Sequence, residues 1–246
     1  MAEVTEDAFL GGKVTIRQPA HGYRAAMDAV LLAAAVPRIS AGRVLELGCG
    51  VGTALFCYGA RVPDVALTGL ELDAAAADLA RINAAANGFD ARSEILTGDL
   101  MEGNATALPA NGFDQVFANP PYQDAASGSP SPIADRARSN VEGTASLKDW
   151  IRAMLRLARP KGGIIIVHRA DRLDDILALL HGKAGEIEVI PLWPRAGVPA
   201  KRVIVRARKG VRGGARMHPG LVLHGPGDAR YTEAASAILR DGQALP

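Results

Sequence analysis

The chain has 246 residues, of which 48% are hydrophobic and 22% charged, and its net charge at pH 7 is +2. This composition is globular and excludes an intrinsically disordered chain, and the length fits one large α/β domain better than two small ones. The net charge is too small to identify a polyanionic partner, so the placement of the charges along the chain matters more than their sum.

The cysteines and histidines show no pattern typical of a metal site or a disulfide framework. Cys49 and Cys57 form no CxxC pair, and the histidines have no HxxxH or HExxH spacing. The first residues lack the basic and apolar regions of a signal peptide, and the apolar runs 29–36 and 162–167 are too short to span a membrane. These features predict a cytoplasmic protein with no metal and no membrane partner.

Short apolar segments alternate with helical patterns along most of the chain. The predicted elements are, in chain order, a hairpin over 8–18 with its turn at Gly11-Gly12, an amphipathic helix 27–36 stopped by Pro37, a strand 43–47, a helix 53–61, a strand 65–70, a helix 74–87 capped by Gly88, strands 91–96 and 113–118, a helix 147–158 ended by Pro160, a strand 163–167, a helix 173–180, strands 186–192 and 202–207, and a short helix 231–239. This alternation predicts a doubly wound, mostly parallel, seven-stranded α/β sheet covered by helices on both faces. Because no helix separates the last two strands, we expect them to form an antiparallel edge pair.

A glycine-rich turn follows the predicted strand 43–47 and opens a helix. Its sequence, from Glu46 through Gly48 and Gly50 to Gly52, has GxGxG spacing preceded by an acid. Glycines at this place allow a tight turn and a close approach of the backbone to a cofactor. The spacing differs from the GxGxxG favoured for dinucleotides, so a nucleoside carrying an amino acid would suit this turn. The alternative interpretation is an ordinary strand-to-helix turn.

Carboxylates follow the next two predicted strands. Glu71 ends the strand 65–70 and could accept hydrogen bonds from both hydroxyls of a ribose. Asp99 follows the strand 91–96 and could accept a hydrogen bond from the exocyclic amine of the cofactor's adenine. Asp99 could instead be an ordinary turn residue.

The most specific motif is Asn119-Pro120-Pro121-Tyr122, directly after the apolar strand 113–118. An amino group on a base or an amide is a poor nucleophile, because its lone pair is delocalised. The side-chain oxygen of Asn119 and a backbone carbonyl at Pro120 could accept hydrogen bonds from such a group and expose its lone pair. The prolines stiffen the loop, and Tyr122 offers a flat face on which a planar acceptor can stack. The alternative is a proline-rich turn with a buried tyrosine.

The combination of a ribose-binding acid, GxGxG and NPPY resembles the class I S-adenosylmethionine-dependent methyltransferases that act on amino nitrogens. Over residues 9 to about 210 the layout is similar to the bacterial tRNA adenine-N6 methyltransferases that modify the purine beside the valine tRNA anticodon. The resemblance implies a Rossmann-like fold, S-adenosylmethionine as the cofactor, and methylation of the exocyclic N6 amine of a tRNA adenine. In the upstream block 18–32 it also implies that Tyr23, Arg24 and Asp28 line the methionine end of the cofactor. A surface arginine and a helix aspartate are the alternative.

Two features leave the acceptor open. Many relatives have an aromatic residue after NPPY, whereas this chain has Gln123, and the following loop to Asn140 is rich in Ser, Pro and Gly. Release-factor methyltransferases, which methylate a protein glutamine amide, also carry NPPY. A non-catalytic RNA-binding module of the same fold is the other alternative.

The C-terminal third of the sequence carries a run of basic residues without an acid. Such a run could follow the phosphates of an RNA, or it could be a solvated edge strand protected by charge. The candidate RNA-binding residues are Arg136 and Arg138 in the loop, and Arg195, Lys201, Arg202, Arg206, Arg208 and Lys209 in the run. We interpret the whole chain as one domain, with a hairpin and helix over the cofactor site in 1–40, a catalytic core in 41–210, and a C-terminal extension in 211–246.

Overall fold

The computed structural model describes residues 3–21, 27–101, 108–124, 141–142, 145–225 and 230–245. The strands are β1 (Val4–Phe9), β2 (Val14–Pro19), β3 (Gly42–Leu47), β4 (Val65–Glu71), β5 (Ser93–Thr97), β6 (Phe113–Ala118), β7 (Gln123–Asp124), β8 (Val141–Glu142), β9 (Ala158–Arg169), β10 (Ala184–Trp193), β11 (Arg202–Lys209), β12 (Arg216–Met217) and β13 (Leu221–Val222). The helices are α1 (Met27–Ala35), α2 (Thr53–Arg61), α3 (Ala74–Ala86), α4 (Leu147–Leu157), α5 (Leu173–Leu180) and α6 (Glu233–Asp241). Within these ranges, no helix combines the length and the apolar composition that a membrane crossing requires.

One large sheet organises the chain, in the order β12-β10-β11-β9-β6-β3-β4-β5, with β13 also paired to β10. Strands β9, β6, β3, β4 and β5 are mutually parallel, and β11 is antiparallel to both of its neighbours. The predicted doubly wound α/β class is confirmed. The sheet has nine strands instead of seven, because the Gly- and Arg-rich segment after β11 adds the two-residue strands β12 and β13 along β10.

The predicted antiparallel edge pair needs a correction. The antiparallel pairing of β10 and β11 is present, but β10 runs in the common direction and carries β12 and β13 on its outer side. The reversed strand β11 therefore lies inside the sheet. The first residues of β11 stand at the edge where the strands of the common direction end.

The N-terminal hairpin is β1 paired antiparallel with β2 around a turn at Leu10–Gly12, and Gly11 has φ +66° there. Its strand β1 begins at Val4, earlier than predicted. The expectation that α1 is amphipathic is wrong, because every residue from Ala29 to Ala35 is buried. A helix that is apolar on all sides belongs in an interior, and α1 lies between α2, α6 and the sheet.

Alternation along the central strands divides the core between the two faces of the sheet. In β3, Val44 packs in the cluster formed with α1, α2, α3 and α6, whereas Leu45 and Leu47 pack in the cluster formed with α4 and α5. Both faces are therefore closed. The carboxyl ends of β3, β4, β5, β6 and β9 meet at one edge of the sheet, which we call the carboxyl edge.

Candidate active site

The glycine turn is held at the carboxyl edge by the neighbouring strand. The amides of Gly48 and Cys49 donate to the carbonyl of Leu70, at 2.8 and 3.1 Å. Gly48, Gly50 and Gly52 have φ of +64°, +54° and +88°, a region that residues with a Cβ adopt at a cost.

The three glycines serve different needs. A Cβ on Gly48 would lie 2.6 Å from the indole of Trp150 in α4, and one on Gly52 would lie 2.2 Å from Phe56. A Cβ on Gly50 would meet nothing within 4 Å. Gly48 and Gly52 are thus required by packing, whereas Gly50 borders open space.

Glu71 holds the turn from the end of β4. Its Oε2 accepts from the amide of Gly50 at 2.7 Å, and its Oε1 accepts from the amide of Asp73 at 2.9 Å. Burial raises the pKa of this half-buried carboxyl, against the opposing effect of those two hydrogen bonds. A carboxylate with directed lone pairs therefore stands beside the open space at Gly50.

Glu46, predicted to contact the cofactor, is almost fully buried, with 3% of its surface exposed. Burial raises the pKa of its carboxyl well above the usual value, although a backbone hydrogen bond from Leu55 in α2 acts in the opposite direction. Its Oε2 has no hydrogen-bond partner among the described residues.

Asp99 lies close to Glu71, because the amide of the preceding Gly98 donates to the carbonyl of Glu71 at 2.8 Å. Its Oδ1 accepts from the amide of Met101 at 2.8 Å, which is the turn role that the sequence left open. Leu72, an apolar residue directly after the strand-end acid Glu71, is 62% exposed, and the sequence analysis gave it no role.

Asn119 leaves the sheet next to the glycine turn, since Leu47 in β3 pairs with Ala118 in β6. It is half-buried, and its Oδ1 lies 2.5 Å from the hydroxyl of Tyr122. The same hydroxyl lies 3.1 Å from Oδ2 of Asp28 at the start of α1. Asp28 thus reaches the NPPY loop.

Two further side chains pack on Tyr122. The guanidinium of Arg202, the first residue of β11, lies 4.3 Å from the ring centroid, and its Nε lies 3.3 Å from the same Oδ2 of Asp28. The ring of His168 meets Tyr122 edge to face at 5.5 Å between centroids. We call Asp28, Asn119, Tyr122, His168 and Arg202 the Tyr122 cluster.

His168 was missed by sequence reasoning, because a lone histidine in an apolar strand gives no signal. The residue is fully buried, and neither ring nitrogen has a hydrogen-bond partner among the described residues. Burial, together with the positive charges of Arg172 and Arg169, lowers its pKa to about 4. The ring is therefore neutral at physiological pH.

The predicted basic run does not form one patch. Register places Arg202 opposite Arg169 at the carboxyl edge and Arg208 opposite Gly163 at the other edge. Most of its members have partners within the protein: Arg195 donates to the carbonyl of Gly225, Arg202 to Asp28, Arg206 to Glu188 and the carbonyl of Leu245, Arg208 to Glu186, and Lys209 to Asn111 and the carbonyl of Ala158. Lys201 is exposed at the carboxyl edge, whereas the side chain of Arg206 is only 13% exposed.

Four predicted site residues, Tyr23, Arg24, Arg136 and Arg138, lie outside the described residues. Within the described part of the chain, no three His, Cys, Asp or Glu side chains are grouped so that they could hold a metal ion.

Comparison with known proteins places this geometry among methyltransferases. Residues 25–136 match the model of the methyltransferase small domain. The tRNA1(Val) (adenine(37)-N6)-methyltransferase of Porphyromonas gingivalis is 30% identical over 196 residues, which cover 75% of this chain and 76% of that protein. The enzyme of the same name from Aeromonas salmonicida is 31% identical over 82% of this chain and 83% of its own length. Among solved structures, a predicted O-methyltransferase from Agrobacterium tumefaciens superposes with a TM-score of 0.73 at 27% identity, over 89% of this chain and 97% of that one.

Proposed function

The chain belongs to the methyltransferase family that includes the tRNA1(Val) (adenine(37)-N6)-methyltransferases, and from this premise we propose that it methylates the exocyclic N6 amine of an adenine in tRNA. It is an S-adenosylmethionine-dependent N-methyltransferase, so the predicted reaction class and cofactor are confirmed. The proposal concerns the acceptor.

The residues at the carboxyl edge fit this cofactor. Gly50 borders a space that a Cβ would enter, and the carboxylate of Glu71 stands directly beside it. In the proposed arrangement Glu71 accepts hydrogen bonds from the ribose, and the exposed Leu72 offers an apolar surface to the adenine. When bound, S-adenosylmethionine supplies an already activated methyl group, so positioning and the exclusion of water are the main tasks of the protein.

The observation that carries the proposal is the position of Asn119 beside the glycine turn, with its Oδ1 directed at the Tyr122 hydroxyl. An amide oxygen here, together with the carbonyl of Pro120, can accept both hydrogens of a flat amine and direct the lone pair of its nitrogen toward the cofactor side. No strong base is needed, because the proton leaves only after the nitrogen has become cationic.

An adenine in a tRNA anticodon loop can present its amine to Asn119 more readily than an adenine in a duplex. Extruding a base from a stack costs on the order of a few kcal/mol, and least where the base is already unpaired. Because Arg202 lies over one face of Tyr122, an incoming adenine would use the ring's other face or its edge.

The direct test is incubation of the purified protein with isotope-labelled S-adenosylmethionine and total tRNA, followed by mass analysis of the nucleosides. We expect labelled N6-methyladenosine from the wild type and about a hundredfold less from Asn119→Ala. Unlabelled tRNA, with label on a protein glutamine in a parallel incubation with cell-extract protein, would contradict the proposed acceptor.

A further inference from the structure

Arg202 and the hydroxyl of Tyr122 converge on a single atom. Oδ2 of Asp28 lies 3.1 Å from the hydroxyl and 3.3 Å from Nε of Arg202, while the guanidinium covers the Tyr122 ring at 4.3 Å. These three contacts form a closed triangle among residues from α1, the NPPY loop and β11.

The three side chains of this triangle can hold one another in a fixed arrangement. A guanidinium is planar and always charged, so it can stack on an aromatic face and donate to a carboxylate at the same time. The side chains of Arg202 and Asp28 are only 33% and 26% exposed, so solvent screens their attraction less than it would on an open surface. The ring of the buried His168 also packs against the Tyr122 ring, with the two ring planes nearly perpendicular.

The contacts of this triangle extend to Asn119, the proposed hydrogen-bond acceptor for the substrate amine. Tyr122 is placed by Arg202 and Asp28, and its hydroxyl lies 2.5 Å from Oδ1 of Asn119. A hydroxyl has one proton, which it can give either to Asn119 or to Asp28. With Asp28 as the second acceptor, the lone pairs of Asn119 can turn to a substrate amine without leaving that proton unpaired.

We infer that Arg202 is a positioning residue of the active site, which sets the place of Tyr122 and, through it, of Asn119. This inference rests on the proposed methyl transfer at Asn119. It replaces the expectation that Arg202 binds RNA phosphate. The antiparallel direction of β11 explains the difference, because it returns the first residue of that strand to the carboxyl edge.

The test compares Arg202→Gln and Arg202→Lys with Arg43→Gln. Arg43 is a matched control, since it also stacks on an aromatic ring, that of Phe113 at 4.9 Å, but stands at the start of β3, at the opposite edge. For each variant we would measure kcat and KM with tRNA at several salt concentrations, and cofactor affinity by calorimetry.

We expect Arg202→Gln to lower kcat at saturating tRNA at least tenfold, with cofactor affinity and melting temperature near those of Arg43→Gln. Arg202→Lys keeps the charge without the flat guanidinium, and we expect it to recover only part of the rate. A raised KM and a shallower salt dependence with unchanged kcat would show a phosphate contact and overturn the inference. Unchanged kinetics would overturn it as well.

A second measurement does not depend on the acceptor. With 3-fluorotyrosine in place of the tyrosines, the Tyr122 resonance is assigned by its loss in Tyr122→Phe. It should move in Arg202→Gln and Asp28→Asn, and stay in place in Arg43→Gln. A resonance that does not respond to Arg202→Gln would show that Arg202 does not hold the ring. A wild-type enzyme that leaves tRNA unmethylated would refute the proposed function, and the fluorine resonance would then decide the positioning role alone.

Discussion

The side-chain oxygen of Asn119 lies 2.5 Å from the hydroxyl of Tyr122, so the first and last side chains of the NPPY motif are in direct contact. Removing the amide should disturb the acceptor side of the site and leave the cofactor side intact. We expect Asn119→Ala to reduce single-turnover methyl transfer by about a hundredfold, the usual effect of losing one directed polar group in an active site. Calorimetry should give a cofactor affinity close to that of the wild type. Full activity in this variant would refute the role assigned to Asn119.

Glu71 should act on the cofactor side. Glu71→Gln removes the negative charge from a carboxyl that faces the open space at Gly50, and hydrogen bonds to a charged acceptor are stronger than neutral ones. We expect the Kd for S-adenosylmethionine to rise about tenfold or more. Glu94→Gln, at an exposed position of β5, is the control and should not change the Kd. Equal affinity of both variants would remove Glu71 from the proposed site.

Gly48 and Gly50 should separate stability from binding. A Cβ on Gly48 meets the Trp150 indole at 2.6 Å, so Gly48→Ala should lower the free energy of unfolding by roughly 1–3 kcal/mol, the usual cost of overpacking. Gly50→Ala has only the cost of its backbone angle, about 1 kcal/mol, because the space beside it is open. Gly50→Ala should therefore have a small effect on the free energy of unfolding and a larger effect on cofactor affinity. Urea unfolding and calorimetry on both variants check this contrast, which fails if Gly50→Ala binds the cofactor normally.

Because His168 is buried in its neutral form, we expect the free energy of unfolding to decrease as the pH falls. Its folded-state pKa of about 4 lies below the ordinary value of 6.5, so the unfolded chain takes up the proton first as the pH falls. The stabilising contribution is therefore complete above pH 6.5 and is lost as the pH falls toward 4. By pH 4 the loss should reach about 3 kcal/mol.

The measurement is the free energy of unfolding of the wild type and of His168→Phe between pH 7 and pH 4. The variant should lose about 3 kcal/mol less than the wild type over this interval. His181→Gln, at an exposed position, is the control and should follow the wild type. Parallel curves for all three proteins would show that His168 is not held neutral.

The division of the basic run predicts unequal effects on RNA binding. Lys201→Gln, at the carboxyl edge, should weaken tRNA binding and reduce the salt slope by about one. Lys209→Gln should change neither, since its ammonium group donates to Asn111 and to the carbonyl of Ala158 at the opposite edge. Equal losses in the two variants would mean that the tRNA extends across both edges.

Local signals predicted the elements well where strong boundaries flank them. The bounds of α2, β6 and α5 agree with the predictions, and α4 ends at Leu157, before Pro160 as expected. The environment of α1 could not be predicted, because only the folded chain shows that α2, α6 and the sheet surround it. The sequence therefore identifies where a helix forms more readily than what covers it.

The same limit applies to the site. Strand-end residues such as Glu71 and Asn119 could be predicted, since parallel strands bring their carboxyl ends together. Arg202 could not, because its position depends on the direction of β11, which periodicity does not reveal. The contact of His168 with Tyr122, a residue far away in the sequence, could not be predicted either, because no sequence spacing indicates it.

The two short strands along β10 have a consequence for how the protein meets other copies of itself. Arg216 and Met217 pair beside Glu188 and Val189, while Leu221 and Val222 pair beside Leu192 and Trp193, so the second half of that flank already has strand partners. A strand from another molecule could pair with this part of β10 only after displacing β12 and β13. Otherwise it could form backbone hydrogen bonds only with these two-residue strands. The segment that carries β12 and β13 thereby hinders edge-to-edge pairing of the sheet with another copy on this side.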